Sequence, residues 1–132
     1  MDALRRVLCA EDDPDIRTIL ELSLATVGGY EVCMCADGRA AVEQAPGFRP
    51  DLILLDVMMP GMTGPEAMQA IRAMPALRGT PVVLMSARAL PHEIEALLEH
   101  GATGVIVKPF DPMTLADNLR IYWEHGRGIG AG

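Results

Sequence analysis

The feature that most constrains this chain is an alternation of short apolar runs with helical segments, repeated five times. The apolar runs begin near Val7, Glu31, Leu52, Val82 and Val105. The segments between them space their apolar residues about 3.6 positions apart, and glycine or proline ends several of them. Because parallel strands need a crossover helix between them, five such repeats predict an α/β domain with a mainly parallel sheet.

Short polar side chains mark where the predicted helices begin. Aspartate and threonine are good N-caps because their side-chain oxygens accept a free backbone N–H group of the first helical turn. The candidate N-caps are Asp15, Asp37, Thr63 and Asp111.

The length of 132 residues is typical of one domain. Apolar residues make up 50% of the chain and charged residues 22%, so we expect a self-sufficient core without disulfides or a structural metal. We predict one domain over residues 1–125, followed by a mobile glycine-rich tail over 126–132. We expect no second domain within the chain.

The charge balance restricts the expected partners. Eighteen acidic residues against 11 basic ones give a formal net charge of −7, and only 4% of the residues are aromatic. A negative surface repels nucleic-acid phosphates, and few rings are available for base stacking, so we expect no direct nucleic-acid partner. No apolar run approaches the roughly 18 residues that span a bilayer, so we expect no membrane partner either.

The cysteines indicate a reducing environment. Cys9, Cys33 and Cys35 are odd in number and lack the spacing of a disulfide framework, which predicts a cytoplasmic location. Cys33 and Cys35 form a C-x-C pair with two open interpretations. The favoured one is that both pack on a strand as small apolar side chains, and the other is half of a metal site.

Chemistry-bearing side chains follow four of the five predicted strands. In an open parallel sheet, ligands bind at the carboxyl ends of the strands. Those ends carry Glu11, Asp12 and Asp13, then Asp56, Ser86 and Lys108. Neighbouring carboxylates repel unless they share a cation, and an all-oxygen set suits Mg²⁺. Such an ion would attract a phosphoryl group, and a carboxylate can itself be the nucleophile that accepts one.

Four motifs carry a family resemblance that covers essentially the whole chain. They are VLCAEDDPDIR, DLILLDVMMPGMTGPEAM, PVVLMSARA and GATGVIVKPFDPMTL, in this order. The chain resembles the receiver domain of two-component response regulators, the CheY-like family. The resemblance implies a flavodoxin-like (βα)5 three-layer sandwich whose parallel five-stranded sheet has the order 2-1-3-4-5.

The resemblance also implies roles for the acidic residues. Asp56 would accept a phosphoryl group from a phosphohistidine on a sensor histidine kinase or a histidine phosphotransfer protein. Mg²⁺ would be held by Glu11, Asp12, Asp56 and the backbone carbonyl of Met58, with Asp12 a more direct ligand than Glu11. Ser86 and Lys108 would bind the phosphoryl oxygens, and the peptide bond after Lys108 would be cis.

The implied function is that of a stand-alone receiver, a phosphorylated switch that acts on no substrate other than its own phosphoryl group. Phosphorylation would shift a conformational equilibrium that protein partners read. The contact surface implied for an unknown downstream protein is the face of the fourth helix, fifth strand and fifth helix. Its candidate residues are Arg88, Glu93, Glu95, Glu99, Arg120 and Trp123.

Four positions are informative when the chain is compared with the usual receiver pattern. Thr63 stands where an acid or asparagine is frequent, and this is tolerable because threonine can still cap a helix. Val105 stands where many receivers have an aromatic ring, so we expect the output to use the loop after Ser86 and a repacked helix face. Met58 and Arg88 occupy positions associated with phosphate lifetime, and neither is an acid or amide that would orient water. We therefore expect modest autodephosphorylation.

Three other functions use related chemistry or the same fold, and each is disfavoured by particular residues. A phosphatase with an aspartate nucleophile would need an acid at the position of Met58. A phosphate-independent pseudo-receiver would lack one of the essential site residues, all of which are present. A flavodoxin-type cofactor binder would need glycine, serine or threonine in the first loop, which carries acids instead.

Overall fold

The computed structural model describes residues 3–88 and 90–131, with side chains as far as residue 125. Five strands occur in this part of the chain: β1 (Arg6–Ala10), β2 (Glu31–Cys35), β3 (Leu52–Asp56), β4 (Val82–Ser86) and β5 (Gly104–Val107). They form a sheet in the order β2-β1-β3-β4-β5, and every neighbouring pair is parallel. The predicted flavodoxin-like strand order is confirmed.

Helices follow the strands and cover both faces of the sheet. They are α1 (Pro14–Glu21), α2 (Gly38–Phe48), α3 (Gly64–Arg72), α4 (Pro91–Glu99) and α5 (Leu115–Ala131). A wider π-helical turn, Leu22–Val27, extends α1, and a 3-10 turn, Pro75–Leu77, precedes β4. Among the described residues, no helix combines the length and the apolar character needed to cross a bilayer.

The N-cap of α1 is Asp13, whose carboxylate accepts the backbone N–H of Asp15 at 2.9 Å. The prediction of Asp15 as the cap is wrong because Pro14 occupies the first helical position, where its fixed φ and missing N–H are tolerated. Asp37 and Thr63 cap α2 and α3 as predicted. Sequence position alone therefore locates a helix start only to within about two residues.

The core lies on both sides of the sheet, as the alternation along β3 demonstrates. Leu52 and Leu54 belong to the layer under α1 and α5, whereas Ile53 and Leu55 belong to the layer under α2 and α3. All four side chains are fully buried. Each contributes roughly 1.5–3 kcal/mol through burial, so the strand that ends in Asp56 is firmly held.

Helix α4 is attached more loosely than this core. None of its residues is fully buried, and Leu97 packs only partly against the layer under α2 and α3. Its N-cap position, Leu90, makes no side-chain capping hydrogen bond. α4 therefore depends on few apolar contacts.

The backbone of α5 is helical as far as Ala131, so the helix continues over most of the segment predicted as a mobile glycine-rich tail. Glycine weakens a helix by about 1 kcal/mol per residue but does not interrupt it as proline does. The boundary at residue 125 and the mobility of 126–132 stay predictions, and Met1, Asp2 and Gly132 lie outside the described residues. Asp111, predicted as the cap of this helix, instead caps the preceding turn by accepting the N–H of Met113 at 2.9 Å.

Candidate functional site

The carboxyl ends of β1 and β3 bring three acidic side chains together. Ala10 pairs with Leu55 in the sheet, so Glu11 and Asp12 emerge beside Asp56. A carboxylate oxygen of each acid lies within 4.8 Å of those of the other two. Glu11 is 1% exposed and Asp56 is 5% exposed, whereas Asp12 is exposed to solvent. The cluster therefore has a buried floor and an open side.

Lys108 supplies a balancing positive charge. Its Nζ atom lies 2.8 Å from Oε1 of Glu11 and 3.2 Å from Oδ1 of Asp56. Burial opposes the charged form of Lys108, but the hydrogen bond to Glu11 and the charge of Asp56 outweigh it and raise the pKa of Lys108 above its ordinary value. Lys108 is also the only lysine in a sequence with ten arginines. Lys108 therefore differs from an ordinary solvated lysine, because its ammonium group is largely buried between two carboxylates.

Both carboxylate oxygens of Glu11 are engaged by the protein. Oε1 accepts from Lys108, and Oε2 accepts the backbone N–H of Asp13 at 3.2 Å. The backbone N–H of Glu11 donates to the carbonyl of Cys35 at 3.1 Å, so β2 also fixes this residue. Asp12, with its exposed carboxylate, is better placed than Glu11 to contact an ion directly.

Arg17 supports the acidic loop from α1. Its Nη1 atom donates to the carbonyl oxygens of Glu11 at 2.8 Å and Asp12 at 3.0 Å. Sequence reasoning missed this residue, although a signal was present. Arg17 lies four positions after the N-cap Asp13, and helical side chains lean back toward the N-terminus of their helix. The arginine thereby fixes two carbonyl groups and adds positive charge beside the acids.

Ser86 lies at the same edge of the sheet, at the end of β4, and is buried. Its carbonyl accepts the backbone N–H of Lys108 at 2.8 Å, which aligns the ends of β4 and β5. Its hydroxyl oxygen accepts the backbone N–H of Arg88 at 3.0 Å, so it is engaged with the following loop. The peptide bond between Lys108 and Pro109 is cis, as predicted.

The loop between β3 and α3 passes close to Asp56. Met58, whose carbonyl is an expected ligand, lies in this loop with its side chain 75% exposed. Gly64 opens α3 and donates its N–H to the carbonyl of Val57 at 3.0 Å. A Cβ atom on Gly64 would overlap the carbonyl oxygen of Asp56. Glycine therefore allows α3 to begin against the end of β3.

Two aromatic residues of α5, Tyr122 and Trp123, bear on the predictions, and the structure contradicts one of these predictions. Val105 carries no ring, but Tyr122 of α5 covers the adjacent Gly104, and its hydroxyl donates to the carbonyl of Val105 at 3.4 Å. Trp123 is buried in the core, so its prediction as an exposed contact residue is wrong. The physical reason is helical spacing, because Trp123 lies one turn after the buried Leu119.

The donor set suits a hard divalent cation. Mg²⁺ prefers oxygen ligands and usually takes one or two carboxylates together with water and a substrate phosphate. Here three carboxylates lie close together, with two of them buried. Their mutual repulsion is relieved when a cation is shared. Glu11, Asp12 and Asp56 could therefore hold such an ion.

A parallel sheet in this order, with acids and a lysine at the carboxyl ends of its strands, defines a CheY-like receiver. The family model of the response regulator receiver domain matches residues 7–120. The chain belongs to this family.

Individual proteins of known name or structure are also similar to this chain. DNA-binding response regulator MtrA of Mycolicibacterium smegmatis is 35% identical over 121 residues, which are 91% of this chain and 51% of MtrA. The chain thus spans about half the length of such relatives. Chemotaxis protein CheY4 of Vibrio cholerae has a TM-score of 0.84 and 38% identity, covering 91% of this chain and 99% of that one.

A third similar protein was solved with a metal ion. It is the receiver domain of sensor histidine kinase PA1611 from Pseudomonas aeruginosa, with a magnesium ion coordinated in its active site cleft. Its TM-score is 0.81 with 34% identity, covering 92% of this chain and 99% of that one.

The prediction that nucleic acid is excluded as a partner is wrong. MtrA, which matches 91% of this chain, is named a DNA-binding response regulator, so a receiver of this kind occurs within a DNA-binding protein. The physical reason is that the net charge of this chain says nothing about residues outside it. A net charge of −7 describes only the surface of these 132 residues, whereas the match spans only 51% of MtrA.

Proposed function

We propose that this receiver accepts a phosphoryl group on Asp56, in a Mg²⁺-dependent reaction, from a phosphohistidine of a sensor kinase or phosphotransfer protein. The observation that carries the proposal is the buried Asp56 carboxylate, 3.2 Å from the ammonium of Lys108 and clustered with two further acids. The membership of the chain in the receiver family supports the same reading.

In the proposed transfer, a carboxylate oxygen of Asp56 attacks the phosphorus atom. The P–N bond to the donor imidazole breaks, its electron pair stays on the ring nitrogen, and that nitrogen takes up a proton. The product is an acyl phosphate on Asp56. Lys108 remains protonated because its pKa is raised, so it can neutralise negative charge on the transferred phosphoryl oxygens.

The residues proposed to hold Mg²⁺ are Asp12, Asp56 and the backbone carbonyl of Met58, with Glu11 completing the acidic site. A bound Mg²⁺ supplies electrostatic stabilisation of the phosphoryl oxygens. Arg17 and Lys108 hold the acidic loop and Glu11 in place before any ligand arrives. The chain thus prepares the site through its own hydrogen bonds.

The output is proposed to begin at Ser86. Its hydroxyl now accepts a hydrogen bond from the N–H of Arg88. In the proposed switch, a phosphoryl group on Asp56 attracts the Ser86 hydroxyl as a donor, and the resulting movement of Ser86 weakens its hold on the loop before α4. Phosphorylation would then shift the population of the loop between Ser86 and α4 from one conformation toward another, and this shift carries the signal to α4.

We infer that this signal is directed to DNA, as the name of MtrA indicates for that relative. In the stand-alone interpretation, the receiver takes part in this signalling together with a partner protein in the cytoplasm. The chain would catalyse only its own phosphorylation and a modest autodephosphorylation, since neither Met58 nor Arg88 supplies an acid or amide for water.

Intact-mass analysis tests the central step. The protein is incubated with acetyl phosphate in the presence and absence of Mg²⁺, beside the isosteric variant Asp56→Asn. We expect one added phosphoryl group that requires both Mg²⁺ and Asp56. Absence of the adduct, together with absence of a beryllofluoride complex at this site, would contradict the proposal. Formation of the beryllofluoride complex alone would indicate rapid loss of the phosphoryl group.

A further inference from the structure

Cys33 and Cys35 lie two residues apart on β2, a strand at one edge of the sheet. Their side chains therefore share one face of the strand. Cys35 is buried in the layer under α2 and α3, and the half-buried Cys33 packs against that layer. Both are free thiols, and the proposed phosphoryl transfer uses neither of them.

The two thiols are neighbours on the same face of β2. Burial, followed by the influence of the neighbouring Cys33 thiol, raises the pKa of the Cys35 thiol to about 12. Cys35 keeps its proton at neutral pH, and Cys33 is the more accessible sulfur for an incoming reagent.

The spacing favours a bridging atom over a direct disulfide. Residues two apart on a strand have Cα atoms about 6.6–6.8 Å apart. Disulfides usually need a Cα separation of roughly 4.4–6.8 Å, so this pair lies at the upper limit. One atom between the sulfurs spans the same gap with less distortion, and soft centres prefer sulfur ligands.

We propose that Cys33 and Cys35 form a dithiol site that binds one trivalent arsenic atom as a bridge between their sulfurs. With an arsonous acid, two As–O bonds break and two As–S bonds form. The hydroxyl groups leave as two water molecules that carry the thiol protons, so no oxidant or reductant is needed. A ligand that brings its own hydroxyl groups suits protonated thiols better than a bare cation does.

The test uses phenylarsine oxide, which is an arsonous acid in water, on the folded full chain. Intact mass is measured before and after excess 2-mercaptoethanol, a monothiol, and then after 2,3-dimercaptopropanol, a dithiol. We expect one bound phenylarsenic group that survives the monothiol and is removed by the dithiol. The Asp56→Asn variant should bind it equally, which separates this site from phosphorylation.

Two substitutions locate the adduct. Cys33→Ser, at the half-buried position, should abolish the monothiol-resistant adduct while circular dichroism confirms that the variant is folded. The matched control is Cys9→Ala, because Cys9 lies in the opposite core layer, and this variant should keep the adduct. An adduct that the monothiol removes, that persists in Cys33→Ser, or that forms only in urea would overturn the proposal. Formation of an intramolecular disulfide in place of the adduct would overturn it as well.

Discussion

Replacement of Gly64 by alanine tests the close approach between α3 and the end of β3. The new Cβ would overlap the carbonyl oxygen of Asp56 and lie 3.0 Å from its carbonyl carbon and 3.1 Å from Cα of Val57. All three atoms belong to the backbone, so relief requires a shift of the helix or the strand end. Overpacking of this kind costs about 1–3 kcal/mol.

Urea unfolding followed by circular dichroism measures this cost from the shift in midpoint at constant slope. The matched control is Gly47→Ala in α2, where an added Cβ meets no atom within 4 Å. Alanine is the better helix former, so we expect this control to gain roughly 0.5–1 kcal/mol.

The same shift should misplace the proposed phosphoacceptor Asp56. We expect phosphorylation by acetyl phosphate to slow about tenfold in Gly64→Ala, which corresponds to ~1.4 kcal/mol in the activation free energy. If Gly64→Ala is as stable and as rapidly phosphorylated as the wild type, the inferred contact does not constrain the site.

Three further predictions concern single side chains. Arg17→Ala removes two hydrogen bonds to the acidic loop and should weaken Mg²⁺ binding about tenfold by titration calorimetry; equal weakening in the exposed-arginine control Arg39→Ala would contradict this. The 13Cε resonance of Lys108, the sole lysine, should report a pKa above the ordinary value for lysine, and Asp56→Asn should lower that pKa. Because the pKa of Lys108 is raised in the folded state, its charge stabilises the folded protein below about pH 10. This stabilisation is lost as the pH rises through the folded-state pKa. Tyr30→Phe removes a buried 2.8 Å hydrogen bond to a carbonyl of α5 and should cost about 1 kcal/mol in urea unfolding without changing phosphorylation, so a wild-type midpoint would refute the assigned role.

The position of the candidate site was predictable because the topology of the sheet determines which strand ends are neighbours. Once the chain alternates strand and helix, the ends of parallel strands must meet at one edge of the sheet. Residues that directly follow strands, such as Glu11, Asp56 and Lys108, then become neighbours despite their distance in sequence. Their chemical roles came from the family resemblance and stay predictions.

Contacts made by helices were less predictable because they depend on rotation about each helix axis. Arg17 reaches two carbonyls in the acidic loop only because α1 begins at Pro14 rather than two residues later. Trp123 was assigned to the surface, but its four-residue spacing from Leu119 turns it into the core. One signal was available and unused: a chain with ten arginines and a single lysine marks that lysine as special.

Because α4 is only shallowly packed on the sheet, it is the helix that we expect to open most easily. An element that buries no residue completely can open locally at a small fraction of the free energy of global unfolding. Its amide hydrogens should exchange with solvent long before those of β3, even while the sheet stays intact. A change at the end of the neighbouring β4 can therefore move α4 while the sheet and the other helices keep their positions.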